Sequence, residues 1–158
     1  MAGDPSTLRL WKRFERRPLG KRIFSVAYAF KAPYFLTIRP RVVAVRPGYA
    51  ELTMKKRWRV QNHIGTVHAI ALCNLAEATM GLVAEATVPT DARWIPAAMN
   101  VRYLAKAGTD MRATSTIEPI GEVTEPRDVE VPVRVTDTDG TEVFDAVITI
   151  RVSPKPAR

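Results

Sequence analysis

From Ala69 to Val83 nearly every position is apolar or small, and only Asn74 and Glu77 break the run. No proline interrupts the stretch before Pro89 and no glycine before Gly81, so the pattern predicts a helix from Ala69 to about Glu85. Apolar side chains around most of its circumference imply that other structure wraps it. Glu77 is the anomaly in this pattern, because a carboxylate among small and apolar neighbours is costly to bury unless it is paired or hydrogen-bonded. A polar, glycine-containing segment, Asn62, His63, Gly65, Thr66 and His68, leads into the helix.

Two shorter amphipathic segments precede this one. Ser6 or Thr7 is placed to cap a helix over Leu8 to Arg16, with Leu8, Trp11 and Phe14 on one side, and Pro18 and Gly20 end it. A second helix over Lys21 to Lys31 carries Ile23, Phe24, Ala27 and Phe30 at helical spacing and stops at Pro33. Six apolar side chains, Leu8, Trp11, Phe14, Ile23, Phe24 and Phe30, predict a cover packed on the body of the protein. From Leu36 the period changes to two. VVAVRPGYAELTM reads as a hairpin turning at Pro47-Gly48. Trp94 to Ala105, Asp110 to Glu118, Asp128 to Thr136 and Glu142 to Val152 complete about six strands, the third of these with Val129, Val131, Val133 and Val135 inward. The expectation is an α+β protein in which a curved antiparallel sheet wraps one long central helix, with extra N-terminal helices: residues 1–35 a helical extension, 36–158 the main domain.

Charge changes this picture only at one end. The net charge is +8, with eight Lys/Arg against two acids in residues 1–31 and seven against one in residues 32–61, so the remainder nets −4. The basic third could face phosphates of a nucleotide-bearing ligand or, through residues 8–31, make weak contact with an anionic membrane surface. No zinc spacing, recognition-helix pattern or stacking-aromatic motif supports specific nucleic-acid binding. A single cysteine, Cys73, and two histidines fall short of the usual four-ligand sets of a structural zinc site, and no metal or cofactor is expected. No apolar run of about 18 residues reads as a membrane span, and MAGDPSTLRLWKRF does not read as a secretory signal; the expected compartment is the cytoplasm.

The order of elements, together with Asn62, Gly65, His68 and an acid nine positions later at Glu77, resembles the hotdog-fold acyl-CoA thioesterases of the phenylacetic-acid-degradation group. MNVRYLAKAGTDMRATSTI is similar to that family's third strand, turn and fourth strand. The family carries two glycines after the histidine; here the positions hold Ala69 and Ile70, and the strand position that often offers a partner hydroxyl reads Ile95-Pro96-Ala97. The resemblance implies hydrolysis of an acyl-CoA or related acyl thioester by a homodimer, with a tetramer as the larger alternative. Glu77 would be the carboxylate that activates water or attacks. A helix beginning near His68 would offer the N–H of Ala69 or Ile70 to the developing oxyanion, Asn62 would orient water or carbonyl, and Gly65 and His68 would shape the turn. A non-catalytic acyl-CoA or lipid binder of the same fold is the alternative. Glu77 bonded to Asn62 or to a backbone amide at a dimer interface is the corresponding structural reading.

Overall fold

A computed structural model describes residues 6–156 of the chain. Three α-helices and six strands follow in the order α1 (Ser6–Phe14), α2 (Gly20–Lys31), β1 (Arg41–Arg46), β2 (Tyr49–Met54), α3 (Ala69–Thr87), β3 (Ala92–Tyr103), β4 (Met111–Thr116), β5 (Arg127–Thr136) and β6 (Glu142–Pro154). All six strands form one antiparallel sheet in the order β1-β2-β4-β5-β6-β3. The sheet packs against α3, and with the N-terminal helices this is the hotdog architecture expected from the sequence.

Small residues let the sheet close on the helix. Leu75, Ala76, Ala78, Met80, Leu82, Val83 and Ala84 are fully buried, and they meet Leu52, Ala113, Val131, Val135, Phe144, Ile148 and Ile150 from the strands. Alternation along β4, β5 and β6 supplies most of this face, as in Met111, Ala113 and Ser115 of β4 against Arg112 and Thr116 outside. Val147, although apolar, keeps to the alternation: it lies opposite Pro132 on the outer face and is exposed. By length and apolarity α3 could cross a membrane, contrary to the reading of the run as too interrupted for a span, but 72% of the stretch is buried in the fold. Its apolarity serves the core.

The two edges of the sheet are treated differently. At β1, α2 satisfies the free backbone groups: Ser25 Oγ accepts from the Val42 N–H at 2.8 Å and Lys21 Nζ donates to the Val43 carbonyl at 2.8 Å. The twelve-residue edge strand β3 carries exposed Ile95, Pro96, Ala97 and Ala98, and among the described residues no element pairs with its outer side. An open edge of this length is the kind that proteins cover or pair.

The N-terminal cover is only half as expected. Leu8, Trp11 and Phe24 are buried, with the Trp11 and Phe24 rings edge to face at 5.1 Å, and Phe14 is partly buried. Ile23 and Phe30, predicted to be buried, are 51% and 64% exposed. The reason is which stripe of α2 faces inward: Phe24, Ser25, Tyr28 and Ala29 do, leaving Leu19, Ile23, Val26 and Phe30 as an outer ridge. Thr7 does not cap α1; its hydroxyl donates to Glu85 Oε2 at 2.8 Å and so ties α1 to the end of α3. Pro33–Thr37 is a 3-10 turn, where the period of two from Leu36 predicts the start of the strand pattern, and Pro33 presets the helical φ at its first position.

Candidate active site

The turn before α3 is built by Asn62. Its Oδ1 accepts from the N–H groups of Ile64 and Thr66, both at 3.1 Å, its Nδ2 donates to Thr66 Oγ1 at 2.8 Å, and its own N–H reaches the Thr66 carbonyl at 2.9 Å. Gly65 sits within this loop at φ +77°, a left-handed conformation that a side chain would strain. The chain then pairs briefly, Gln61 with Val67, and the His68 N–H bonds to the Val60 carbonyl at 2.8 Å.

His68 is the N-cap of α3. Its Nδ1 accepts from the Ile70 N–H at 3.1 Å, which puts the proton of the neutral ring on Nε2, and its carbonyl accepts from Ala71 and Leu72. The first turn of a helix has four N–H groups without helical partners. Here three are taken. The Ala69 N–H has no acceptor among the described residues, so of the two donors expected from the sequence only this one is open.

Glu77 lies two turns further along α3 and is half-buried, on a strip with Ile70 and Cys73. Among the described residues it has no hydrogen-bond or ion-pair partner, and neither Asn62 nor a backbone amide bonds to it. Strand β3 touches the helix one turn to either side. At Cys73 the Sγ lies 3.3 Å from Tyr103 Oη, and at Gly81 an added Cβ would stand 3.5 Å from the Trp94 ring. Along the helix, Glu77 therefore lies between the two turns that aromatic side chains of β3 touch. From beneath, the Tyr28 hydroxyl donates to the Ala78 carbonyl at 2.6 Å; burial raises the phenol's pKa, and the carboxylates of Glu85 and Glu77 raise it further. Tyr28 is thus a neutral donor spent on the helix backbone. Nothing local in the sequence marks Tyr103, Trp94 or Tyr28, because periodicity does not say which aromatic of a distant strand or helix meets a given turn of α3.

The Cys73 contact has a measurable consequence. The hydrogen bond to Cys73, and then partial burial, push the Tyr103 phenol up to about 12. A phenol that holds its proton more tightly when folded contributes stability that is full below its ordinary value near 10 and is lost as the pH rises through about 12. In an absorbance titration Cys73→Ala should return one tyrosine toward 10, and Tyr103→Phe identifies that transition by removing it; a Cys73→Ala titration equal to that of the unmodified protein would mean that the contact is not made in solution.

A concavity lies beside the Asn62 turn. It has a volume of about 790 Å³ and brings Arg39 together with Arg57, Trp58 and Arg59. The sequence showed these cations but not their convergence.

Residues 20–152 match the model of DUF4442, a domain of unknown function. The fold is shared with a structural-genomics crystal structure at 43% identity and TM-score 0.81, with 94% of this chain and 98% of that one covered. It is also shared with a Pseudomonas aeruginosa protein of unknown function named a "probable thioesterase", at 21% identity and TM-score 0.77 over 87% of this chain and 98% of that one. A thioesterase family protein from Silicibacter pomeroyi aligns at 18% identity and TM-score 0.67, over 83% and 96%. No curated protein matches the chain.

Proposed function

We propose, on the premise that this chain belongs to the DUF4442 family, that it hydrolyses acyl thioesters of the acyl-CoA class with Glu77 as the working carboxylate. The observation that carries this reading is a half-buried acid with no partner among the described residues, on a helix whose first open N–H lies two turns away. Thioester hydrolysis needs those two components, a base or nucleophile and a donor aimed at the oxyanion.

In the step proposed, Glu77 takes a proton from water as the water oxygen bonds to the thioester carbonyl carbon. The carbonyl oxygen becomes an oxyanion facing the Ala69 N–H, aided by the positive end of α3. The C–S bond then breaks, and the departing thiolate takes the proton back from Glu77. Asn62, Gly65 and His68 act as positioning residues: they set the turn and leave the Ala69 N–H, rather than that of Ile70, open.

A second copy is proposed to complete the site. The open edge of β3 is where it would pair, and the two aromatics that touch α3 one turn to either side of Glu77 stand on that same strand. A homodimer is expected by light scattering, and a monomer at micromolar concentration would remove this part of the reading. The outer ridge of α2, Leu19, Ile23, Val26 and Phe30, bordered by Arg22 and Lys31, supports a weak contact with anionic lipid.

Exposed Ile70, where the resembled family has glycine, favours the second reading, a binder without turnover. A thiol-release assay with short, long and aromatic acyl-CoAs, run beside calorimetric binding, separates the two. Release of thiol from any class supports hydrolysis, and binding without release supports the binder.

A further inference from the structure

The concavity beside the Asn62 turn has an unusual lining. Its three ionisable groups of fixed charge are all arginines, Arg39, Arg57 and Arg59, and no Asp or Glu is among its walls. Like charges held together cost free energy unless an anion joins them, and surface electrostatics alone would spread them apart. Arg57 registers the crowding: partial burial, then the charges of Arg39 and Arg59, lower its affinity for its proton, while one Nη donates to the Ile38 carbonyl at 2.8 Å and fixes the guanidinium in place. Arg39 is held at φ +49°, a left-handed conformation that a non-glycine residue adopts only under the constraint of its surroundings.

Between Arg57 and Arg59 stands Trp58, 84% exposed, the most exposed of the large hydrophobic side chains described. An indole face in water beside an uncompensated trio of guanidinium groups is suited to a ligand that is both multiply anionic and flat. Arginine forks match phosphate oxygens, and a tryptophan face takes a purine. A simple carboxylate or inorganic anion would leave the indole unused.

The concavity is joined to α3 on two sides. Asn62 and Gly65 belong both to its wall and to the turn that opens the Ala69 N–H. Thr37, on the opposite wall, accepts at 3.0 Å from Nδ2 of Asn74, which lies one turn before Glu77 on α3.

We infer that this concavity binds the nucleotide end of a coenzyme A thioester, with the phosphates on Arg39, Arg57 and Arg59 and the adenine on the face of Trp58. The inference rests on the proposed thioesterase reading for its connection to Glu77. It adds a selectivity: the carrier recognised is a free coenzyme A ester, not a pantetheine arm on a carrier protein, which has no adenine to stack.

Adenosine 3′,5′-bisphosphate, which carries the nucleotide without pantetheine or acyl group, is the probe. Of the three tryptophans Trp11 is buried and Trp94 half-buried, so saturable quenching of indole fluorescence by the probe should come from Trp58 and vanish in Trp58→Ala. Arg59→Gln, a change at an exposed side chain, should weaken binding of the probe roughly tenfold or more. In steady state the same substitution should raise KM for an acyl-CoA and leave KM for the matching acyl-N-acetylcysteamine thioester unchanged. Absence of binding at millimolar probe, or binding indifferent to both substitutions, overturns the inference. Turnover of both thioesters with Arg59→Gln silent would also overturn it and leave the thioesterase reading standing, whereas probe binding lost in the two variants without turnover of any thioester would uphold the nucleotide site and defeat the reading of Glu77.

Discussion

Glu77→Gln is expected to lower thioester turnover by a factor on the order of 10² to 10⁴, the range for loss of a general base, while acyl-CoA binding persists. The substitution keeps nearly the same volume at a half-buried position, and the carboxylate it removes has no partner among the described residues to leave stranded. Stability should therefore change little. A loss of activity accompanied by unfolding would speak for a structural acid. Turnover equal to that of the unmodified protein would exclude Glu77 from the chemistry, and the Ala69 N–H would then lose its significance as well. Because β3 touches α3 one turn to either side of Glu77, the comparison is best made at concentrations where the oligomeric state of both proteins has been measured.

For stability the largest expected effect is at Phe144. Its ring is fully buried on the helix-facing side of β6, where it meets the Tyr103 ring edge to face at 5.3 Å. Phe144→Ala removes that volume from a sheet that has no slack on its covered face, and should cost about 3–5 kcal/mol. In a chain of this size the melting temperature should fall on the order of 10 °C. Denaturant unfolding followed by circular dichroism reads the change directly; a loss below about 1 kcal/mol would mean that β3 and β6 are not packed as described. Because Tyr103 also contacts Cys73, this variant should also move the tyrosine titration.

Much of this architecture could be read from periodicity because core elements carry a strong pattern. The helix from Ala69, the hairpin at Pro47-Gly48 and the alternation of β4 and β5 follow from residues whose burial is decided locally. Glu77 stood out for the same reason, as a charge where the pattern wants none. What periodicity could not decide is which of two good faces goes inward. On α2, Phe24 and Tyr28 compete with Ile23, Val26 and Phe30, and both stripes have helical spacing; β1 settled the choice by drawing Ser25 and Lys21 to its edge. The arginine concavity was invisible for another reason. Arg39 and Arg57–Arg59 are separated by the whole β1–β2 hairpin, and all of them lie in connecting segments that carry no period. The Asn62 turn lies between these cases. Its composition announced a turn, but only geometry shows that the asparagine amide is spent inside it and that His68 takes the Ile70 donor.

Strand order has a consequence for the time course of folding. β1 and β2 pair across a tight turn, and β5 and β6 across a short one, so both hairpins need little loop closure. β3 has no such neighbour: it must wait for β6, with Tyr103 opposite Phe144 at one end and Ala92 opposite Pro154 at the other, across the intervening β4 and β5. Pairings between residues far apart in sequence are the slow ones. The strand that carries Tyr103 and Trp94 is therefore a late one to dock, as is the pairing of β2 with β4, and until β3 docks the apolar flank of α3 and the open edge of the sheet are exposed together. Folding and capture by a second copy then compete for the same surface in the same interval, so refolding yield should depend on protein concentration even where the final state does not.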